Sequence, residues 1–321
     1  MKNLIYVVFI LNLVCFFIYQ ECMNMMTYAY GEDNVPFTQQ PYLLAENNTE
    51  EDNFINEKDI IVNIDEFDKE LYEKDSRKEI VNKKKKGSHS IDLAFEYIKK
   101  GKKYEARNML SDLYFTETDY DERKKIKAEL DKLNAELVFS PLPSPDAIFH
   151  NVSQGDSLIK IASKYNTTYK SIMRINNKSR TIVKIGERLK VLNGRLSLLV
   201  DKKDFTLTVL LNGHYIKQYP IGIGMYDKTP EGVFVVNNKV KNPVWYSPEG
   251  VFPFGDPKNV LGTRWIGFEE KEGLYGYGIH GTTEPESIGK AMSNGCIRLR
   301  NEDVEELYDF VKKNTNVVIQ K

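Results

Sequence analysis

The spacing of apolar residues separates a charged N-terminal part from a helical stretch and a β-rich second half. From Ser90 onward, apolar side chains recur at the intervals of amphipathic helices, and Gly101 interrupts the first interval. The three sets are Leu93, Ala94, Tyr97 and Ile98; Ala106, Met109, Leu110 and Leu113; and Ile126, Leu130, Leu133 and Leu137. This pattern predicts three helices over residues 89–139, which we interpret as a spacer.

The predicted spacer resembles one tetratricopeptide-like unit followed by a capping helix. Repeat proteins of that kind bury their faces by stacking about three or more units, so a single unit does not indicate a solenoid. Three prolines follow, Pro141, Pro143 and Pro145, and they predict a stiff connector.

A strand–helix–helix–strand pattern is predicted for residues 148–193. The first strand ends at a turn at Gly155, and Asp156 or Ser157 is a candidate N-cap for the helix that begins with Leu158. A second helix follows residues 166–168, and the segment from Ile185 to Val191 predicts a turn and a closing strand.

Residues 195–321 have the pattern of β structure. Phe205, Leu207, Val209 and Leu211 alternate with other residues, and Asn212-Gly213 then gives a strong hairpin signal. Val233, Val235 and several glycines continue this texture, and a helix is predicted only near the end, over residues 302–313. We therefore expect a mostly β domain here.

Residues 1–29 have the layout of a secretion signal. Lys2 precedes an uncharged run from Asn3 to Gln20, and Thr27 and Ala29 approximate a small-residue cleavage pattern. The same run is near the lower length limit for a membrane-spanning helix, so an uncleaved membrane anchor is the alternative. Both interpretations place the rest of the chain outside the cytoplasm.

The charge pattern of residues 30–88 predicts a disordered tether. Acidic residues dominate between Glu50 and Glu79, and a basic run, Lys83–Lys86, follows. The basic run either attracts an anionic wall or membrane surface or is part of a solvated linker. Over the whole chain, 45 Lys and Arg balance 46 Asp and Glu, which removes any whole-chain argument for nucleic-acid binding.

Cys296 is flanked by polar residues and glycine, unlike a buried core cysteine. The other cysteines, Cys15 and Cys22, lie in the apolar N-terminal stretch, so the folded part cannot form an internal disulfide. A lone thiol in an exported protein is open to oxidation, so its presence points to chemistry rather than to inert packing, which is the alternative.

A cysteine nucleophile needs a base within hydrogen-bond reach. Of the four histidines, only His280 shares the glycine-rich segment of Cys296. The remaining three are His89 in the tether, His150 in the small module and His214 in a hairpin turn.

The module at residues 148–193 resembles the LysM family. The matching residues are Val152, Gly155, Asp156, Leu158, Ile161, Ala162, Tyr165, Asn176, Gly186 and Leu189-Lys190-Val191. The resemblance implies binding to N-acetylglucosamine-containing glycan strands beside the turn at Gly155–Ser157 and the segment after Ile175. Most of the matching residues are equally explained as fold-building positions.

Residues 195–321 resemble the L,D-transpeptidase (YkuD-like) family. The signature residues are His280-Gly281-Thr282, Ser287-Ile288-Gly289 and Ser293-Asn294-Gly295-Cys296-Ile297-Arg298-Leu299, with Lys228-Thr229-Pro230-Glu231-Gly232-Val233-Phe234 and the Trp245 region upstream. Asn294 departs from the pattern, since many members have a second histidine there. The resemblance implies a sandwich- or barrel-like β domain.

The implied activity is transfer through a thioester on Cys296, which attacks an L,D-peptide bond in a peptidoglycan stem peptide. His280 either deprotonates Cys296 or forms an ion pair with it, and the Gly281 carbonyl orients the imidazole. Backbone N–H groups around Gly295 and Cys296 are candidate oxyanion donors. Arg298 binds a substrate carboxylate or forms a salt bridge, and Ser293 and Asn294 contact substrate or shape the loop.

No metal or other cofactor is expected, because the chain has no His-x-x-x-His or Cys-x-x-Cys spacing. The resemblance also implies that carbapenems acylate the cysteine. Two other functions stay open: an L,D-carboxypeptidase, in which water takes the thioester, and a wall-binding protein with an inactive catalytic domain.

Overall fold

The computed structural model describes residues 87–321. The signal or anchor predicted for residues 1–29 and the tether predicted for residues 30–88, up to residue 86, lie outside the described residues. No helix within the described part of the chain is long and apolar enough to cross a membrane.

The helices and strands follow one another in three groups along the chain. The helices are α1 Gly87–Lys99, α2 Lys103–Thr116, α3 Tyr120–Leu137, α4 Leu158–Lys164, α5 Tyr169–Ile175 and α6 Asn301–Phe310. The strands are β1 Ala147–Asn151, β2 Arg188–Leu192, β3 Leu196–Asp201, β4 Thr206–Leu211, β5 His214–Pro220, β6 Ile223–Gly224, β7 Gly232–Lys241, β8 Trp245–Ser247, β9 Gly250–Phe252, β10 Arg264–Phe268, β11 Gly278–His280, β12 Ala291–Ser293, β13 Ile297–Arg298 and β14 Asn316–Gln320.

An eight-stranded mixed sheet forms the centre of the second half, which confirms the mostly β fold. Its order is β13-β11-β10-β7-β14-β3-β4-β5. The pairs β11/β13 and β14/β3 are parallel, and the other neighbours are antiparallel. Asn212 and Gly213 join β4 to β5 with φ values of 53° and 80°. The hairpin prediction is confirmed, because both turn residues adopt the positive φ that Asn-Gly favours.

The predicted strand–helix–helix–strand module is confirmed by the antiparallel pair β1/β2 with α4 and α5 between the strands. Ser157 rather than Asp156 is the N-cap of α4, since its side chain accepts a hydrogen bond from Lys160 N. Eight buried apolar residues form a small core of the module's own. Ile175 and Leu192 instead belong to the large core of the sheet, so the module is tied to it.

Helices α1 to α3 lie where the apolar spacing predicted them, and α2 and α3 pack onto the sheet. We expected a spacer; the structure sets α2 and α3 against edge strand β5. Ser111 Oγ accepts a hydrogen bond from Tyr215 N at 2.8 Å, and Asn134 Nδ2 donates one to Tyr215 O at 3.0 Å. The outward backbone groups of an edge strand otherwise attract other strands, and these side chains satisfy the two groups of Tyr215.

Polar contacts join the small module to both neighbours. Lys190, which is fully buried, donates from Nζ to Leu137 O at 2.7 Å and to Ser140 O at 2.9 Å at the end of α3. Arg174 of α5 pairs with Asp309 of α6 at 2.7 Å. The module is therefore held against the helices and the sheet domain at two separate points.

Candidate active site

Cys296 and His280 lie at the β13 edge of the sheet, on neighbouring parallel strands. Ile279 pairs with Ile297, and His280 pairs with Arg298. Because side chains alternate along a strand, this register puts His280 and Arg298 on one face. Cys296 directly precedes β13, and by the same alternation its side chain is expected on the face of Arg298, two residues later. The pairing of β11 with β13 thus places the backbone segments of the two candidate residues side by side.

The Cys296 thiol is partly buried and is held by backbone groups. Its Sγ donates to Gly276 O over 3.5 Å. Burial raises the pKa of the thiol to about 11, although the Gly278 backbone N–H and the Arg298 charge act in the opposite direction. Cys296 is therefore a neutral thiol at pH 7 in the unliganded protein.

The His280 imidazole is buried, with 3% of the residue exposed. Its Nδ1 donates to Gly281 O at 2.5 Å, and its ring stacks on Trp265 with centroids 5.9 Å apart. Burial lowers the pKa of His280 to about 4, and the Arg298 charge lowers it further, while the carbonyls of Gly281 and Leu261 oppose both effects. Since a carbonyl only accepts, the hydrogen bond to Gly281 O places the proton of the neutral ring on Nδ1 and leaves Nε2 unprotonated.

The raised pKa of the thiol and the lowered pKa of the imidazole are the directions expected when both groups are neutral. The hydrogen bond that the structure records for the Cys296 sulfur goes to Gly276 rather than to the imidazole. Catalytic hydrogen bonds are often long before substrate binds. This geometry favours deprotonation of Cys296 during the reaction.

Hydroxyl groups hold the loop that carries Cys296. Ser293 Oγ donates to Cys296 O at 2.6 Å and accepts from Gly295 N at 3.1 Å. Thr229 Oγ1 donates to Gly295 O at 2.8 Å. We expected oxyanion donors around Gly295 and Cys296; the Gly295 N–H is occupied by Ser293. For the Cys296 N–H, no partner is recorded within residues 87–321, so this group is the candidate donor.

Gly295 is required by its surroundings. Its φ is 135°, and an added Cβ would lie 2.7 Å from the Tyr277 ring and 3.1 Å from Lys228 O. Any side chain here would force the loop away from the ring, because both the backbone conformation and the space exclude it.

The three candidate substrate contacts occupy different environments. Ser293 is buried and hydrogen-bonded within the loop, which matches the loop-shaping alternative. Arg298 is 9% exposed, and its Nη1 donates to Glu284 Oε2 at 2.7 Å, which matches the salt-bridge alternative. Asn294, two residues before Cys296, is exposed, so neither of its alternatives is excluded.

Three further residues support the site, and the sequence did not assign them this role. Trp265 stacks on the imidazole, and Thr229 holds the Gly295 carbonyl. Asn301 accepts from Thr282 N at 3.2 Å and donates to Thr282 O at 3.0 Å, bracing the segment after His280. Thr229 stood in the upstream motif, which was the one available signal. Among the described residues, no group of three or more His, Cys, Asp or Glu side chains is placed to hold a metal ion.

In the small module, the polar residues of the expected glycan region build the turn. Asp156 Oδ2 lies 2.9 Å from His150 Nε2 and accepts from Ser153 N at 2.8 Å. Asn176 accepts from Lys190 N at 2.8 Å. Ile182 and Ile185, in the segment after Ile175, are exposed by 68% and 74%. The exposed apolar surface thus lies where the sequence placed the glycan contacts.

Comparison with known proteins defines the class. A model of the L,D-transpeptidase catalytic domain matches residues 195–319, and a LysM domain model matches residues 150–192. The class is thus an L,D-transpeptidase catalytic domain joined to a LysM domain, which assigns the chain a general role at peptidoglycan, outside the cytoplasm.

Two relatives from Bacillus subtilis (strain 168), both provisionally named L,D-transpeptidases, show the family. YqjB is 42% identical over 125 residues, which cover 38% of this chain and 69% of YqjB. YkuD is 32% identical over 181 residues, which cover 54% of this chain and 98% of YkuD. The chain belongs to the L,D-transpeptidase (YkuD) family, as the sequence motifs indicated.

Similar solved structures include an L,D-transpeptidase from Mycobacterium smegmatis, with a TM-score of 0.34 and 23% identity. The match covers 42% of this chain and 64% of that one. The catalytic domain of an Enterococcus faecium L,D-transpeptidase gives a TM-score of 0.32 at 23% identity, covering 40% of this chain and 98% of that one.

Proposed function

We propose that the protein is a peptidoglycan L,D-transpeptidase that forms cross-links through a thioester on Cys296. One observation carries the proposal. The His280 ring is fixed through Nδ1 by Gly281 O, which leaves Nε2 as the unprotonated nitrogen, and its strand β11 pairs with β13, the strand that directly follows Cys296. Cys296 is then the nucleophile, His280 the base and the Gly281 carbonyl the group that orients the base.

In the first half-reaction, His280 Nε2 takes the thiol proton as Sγ attacks the carbonyl carbon of the L,D-peptide bond. The carbonyl oxygen becomes an oxyanion and meets the Cys296 N–H. One such donor typically contributes ~3 kcal/mol to the transition state. When the C–N bond breaks, the imidazolium gives its proton to the leaving amine of D-Ala, and a thioester remains.

In the second half-reaction, the acceptor amine attacks the thioester carbon and passes its proton to His280. The C–S bond breaks, the new amide forms, and the imidazolium returns its proton to Sγ. The high pKa of the thiol explains why this base is needed: little thiolate exists at neutral pH, so the proton must leave as the C–S bond forms.

The LysM module concentrates the enzyme on glycan strands without taking part in the chemistry. Its exposed Ile182 and Ile185 supply apolar surface for sugar rings, and the contacts at Lys190 and Arg174 hold the module against the rest of the protein. The N-terminal segment, as a signal or an anchor, delivers the protein to the wall side of the membrane.

The test is incubation of the full-length protein with disaccharide-tetrapeptides, followed by mass spectrometry of the muropeptides. Cross-linked dimers that disappear in Cys296→Ser support the proposal. Tripeptide without dimer would make the protein an L,D-carboxypeptidase. No product, with full pelleting on peptidoglycan, would leave a non-catalytic wall-binding protein.

A further inference from the structure

Hydroxyl groups of two distant segments hold the carbonyls on both sides of Cys296. Ser293, in the same loop, binds Cys296 O. Thr229, more than sixty residues earlier in the chain, donates to Gly295 O at 2.8 Å and accepts from Gly224 N at the same distance. Thr229 is 1% exposed, so water does not compete for these hydrogen bonds.

The Thr229 contact determines where the Cys296 N–H points. In a planar trans peptide, the C=O of one residue and the N–H of the next point in opposite directions. A carbonyl of Gly295 directed at Thr229 therefore directs the Cys296 N–H away from Thr229. Within the described residues this N–H has no recorded partner, whereas the Gly295 N–H is bound to Ser293.

Gly295 makes this control necessary. Glycine populates positive φ as readily as negative φ, so the peptide that follows it rotates easily unless something holds it. The structure holds it at a φ of 135°. Gly224 packs closely on the other side, since a Cβ on Gly224 would lie 2.8 Å from Gly295 Cα.

Thr229 is itself fixed by Lys202, a residue of the β3–β4 connection that is 6% exposed. Lys202 Nζ donates to Thr229 O at 3.2 Å and pairs with Glu231 at 2.9 Å and with Asp227 at 2.5 Å. Tyr226 and Asp227 have φ values of 53° and 60°, which non-glycine residues rarely adopt. Ion pairs on both sides of Thr229 thus stabilise an otherwise unfavourable turn.

We propose that Thr229 is a positioning residue for acyl transfer: its hydroxyl orients the Gly295–Cys296 peptide so that the Cys296 N–H meets the oxyanion. Thr229 acts through Cys296 and does not touch the substrate. The expected effect on kcat rests on the proposed function. The orientation of the Gly295–Cys296 peptide does not, and it can be measured without substrate.

Two substitutions separate the hydroxyl from the shape of the side chain. Thr229→Val keeps the volume and removes the hydroxyl, whereas Thr229→Ser keeps the hydroxyl. We expect Thr229→Val to lower kcat about 10- to 100-fold with little change in KM, since an oxyanion contact acts in the transition state. Thr229→Ser should stay within about 3-fold of the natural protein.

Thr208→Val is the matched control. Thr208 is also a buried threonine, and its Oγ1 accepts from Gln218 Nε2 at 2.8 Å in the sheet, away from the Cys296 loop. The Thr208→Val substitution should lower thermal stability about as much as Thr229→Val does and leave kcat unchanged. An equal loss of kcat in Thr208→Val and Thr229→Val would overturn the positioning role.

A readout without substrate keeps the inference distinct from the proposed function. In amide NMR spectra of the full-length protein, Thr229→Val should shift the Cys296 N–H resonance and speed hydrogen exchange at Gly224, and Thr229→Ser should do neither. If the natural protein forms no product, the proposed function fails and these resonances decide the peptide orientation alone. Unchanged resonances in a folded Thr229→Val variant would refute the proposal that Thr229 orients this peptide.

Discussion

Two buried histidines in this protein, His150 and His280, show how one side chain serves two purposes. Both are nearly enclosed, at 8% and 3% exposure. His150 has both ring nitrogens in contact with side chains, Asp156 Oδ2 at 2.9 Å and Tyr165 OH at 3.0 Å. His280 has Nδ1 bound to a backbone carbonyl. The partners of the two nitrogens, rather than burial, distinguish a structural imidazole from a candidate base.

The largest expected difference between them is in acylation of Cys296. Without the imidazole of His280, the thiol has no base, so His280→Ala should slow acylation by a carbapenem at pH 7 by 100-fold or more, on the order of the contribution of a general base. The His150→Ala variant should be acylated at the same rate as the natural protein. Intact-mass measurements over time report one added drug mass in each variant.

Equal acylation rates in the two variants would remove the base assignment from His280. A slow rate in His150→Ala alone would mean that the LysM module, through its contacts with the sheet domain, shapes the site. Circular dichroism on both proteins is the control for folding.

The pH dependence of alkylation sharpens the comparison next. Iodoacetamide reacts with thiolate, and the raised pKa of about 11 predicts a rate that increases about tenfold per pH unit from pH 7 up to that value. His280→Ala should show nearly the same profile, since the resting pair is neutral. A plateau near neutral pH that His280→Ala abolishes would instead indicate a preformed ion pair.

Acid stability is a third difference. The unfolded chain binds a proton at His280 near pH 6.5, and the folded protein does so only near pH 4. Between these values the unfolded state binds more protons, so stability falls as the pH drops from about 6.5 to 4 and levels off below. The full effect is about 3 kcal/mol.

Urea unfolding at several pH values measures this loss, and His280→Gln should reduce the slope. Burial also lowers the pKa of His214, which contributes loss in the same direction, so His214→Gln is the matched control. An identical pH dependence in His280→Gln and the natural protein would show that His280 titrates normally in the folded state.

The smallest expected effect concerns wall binding. His150→Ala removes one of the two hydrogen bonds of the Asp156 carboxylate in the turn, so pelleting with purified peptidoglycan should decrease several-fold while turnover of a soluble tetrapeptide donor is unchanged. Ile185→Ser, which alters only an exposed side chain, should reduce pelleting without affecting stability. Full pelleting of both variants would place the wall contact elsewhere, for instance at Lys83–Lys86.

Local signals in the sequence were enough to predict the elements and to single out the two candidate site residues. Asn212-Gly213 specifies its hairpin through the φ values of two adjacent residues, and the apolar periods predicted α1 to α3. Cys296 and His280 stood out because of their residue types and glycine-rich context. None of these inferences needed contacts between distant parts of the chain.

Roles that depend on distant contacts were beyond the sequence. Tertiary packing determines that Glu284 is the salt-bridge partner of Arg298, that Thr229 binds Gly295, and that Lys190 is buried at the end of α3. From the sequence alone, a lysine in a strand is expected to be solvated. Only the fold places the Lys190 Nζ within hydrogen-bond distance of Leu137 O and Ser140 O. The prediction of a spacer was incomplete for the same reason. The sequence does not reveal the sheet order, so it could not show that β5 is an edge strand against which α2 and α3 pack.

The central claim is that Cys296 carries the acyl group, and trapping the intermediate tests it most directly. The full-length protein is quenched in acid within the first turnover with a tetrapeptide donor and no acceptor, and peptide mass spectrometry then locates the adduct. The account predicts one tripeptidyl group in thioester linkage on Cys296, released by hydroxylamine and absent in Cys296→Ala. Product formation by a folded Cys296→Ala protein, or an adduct on another residue, would contradict it.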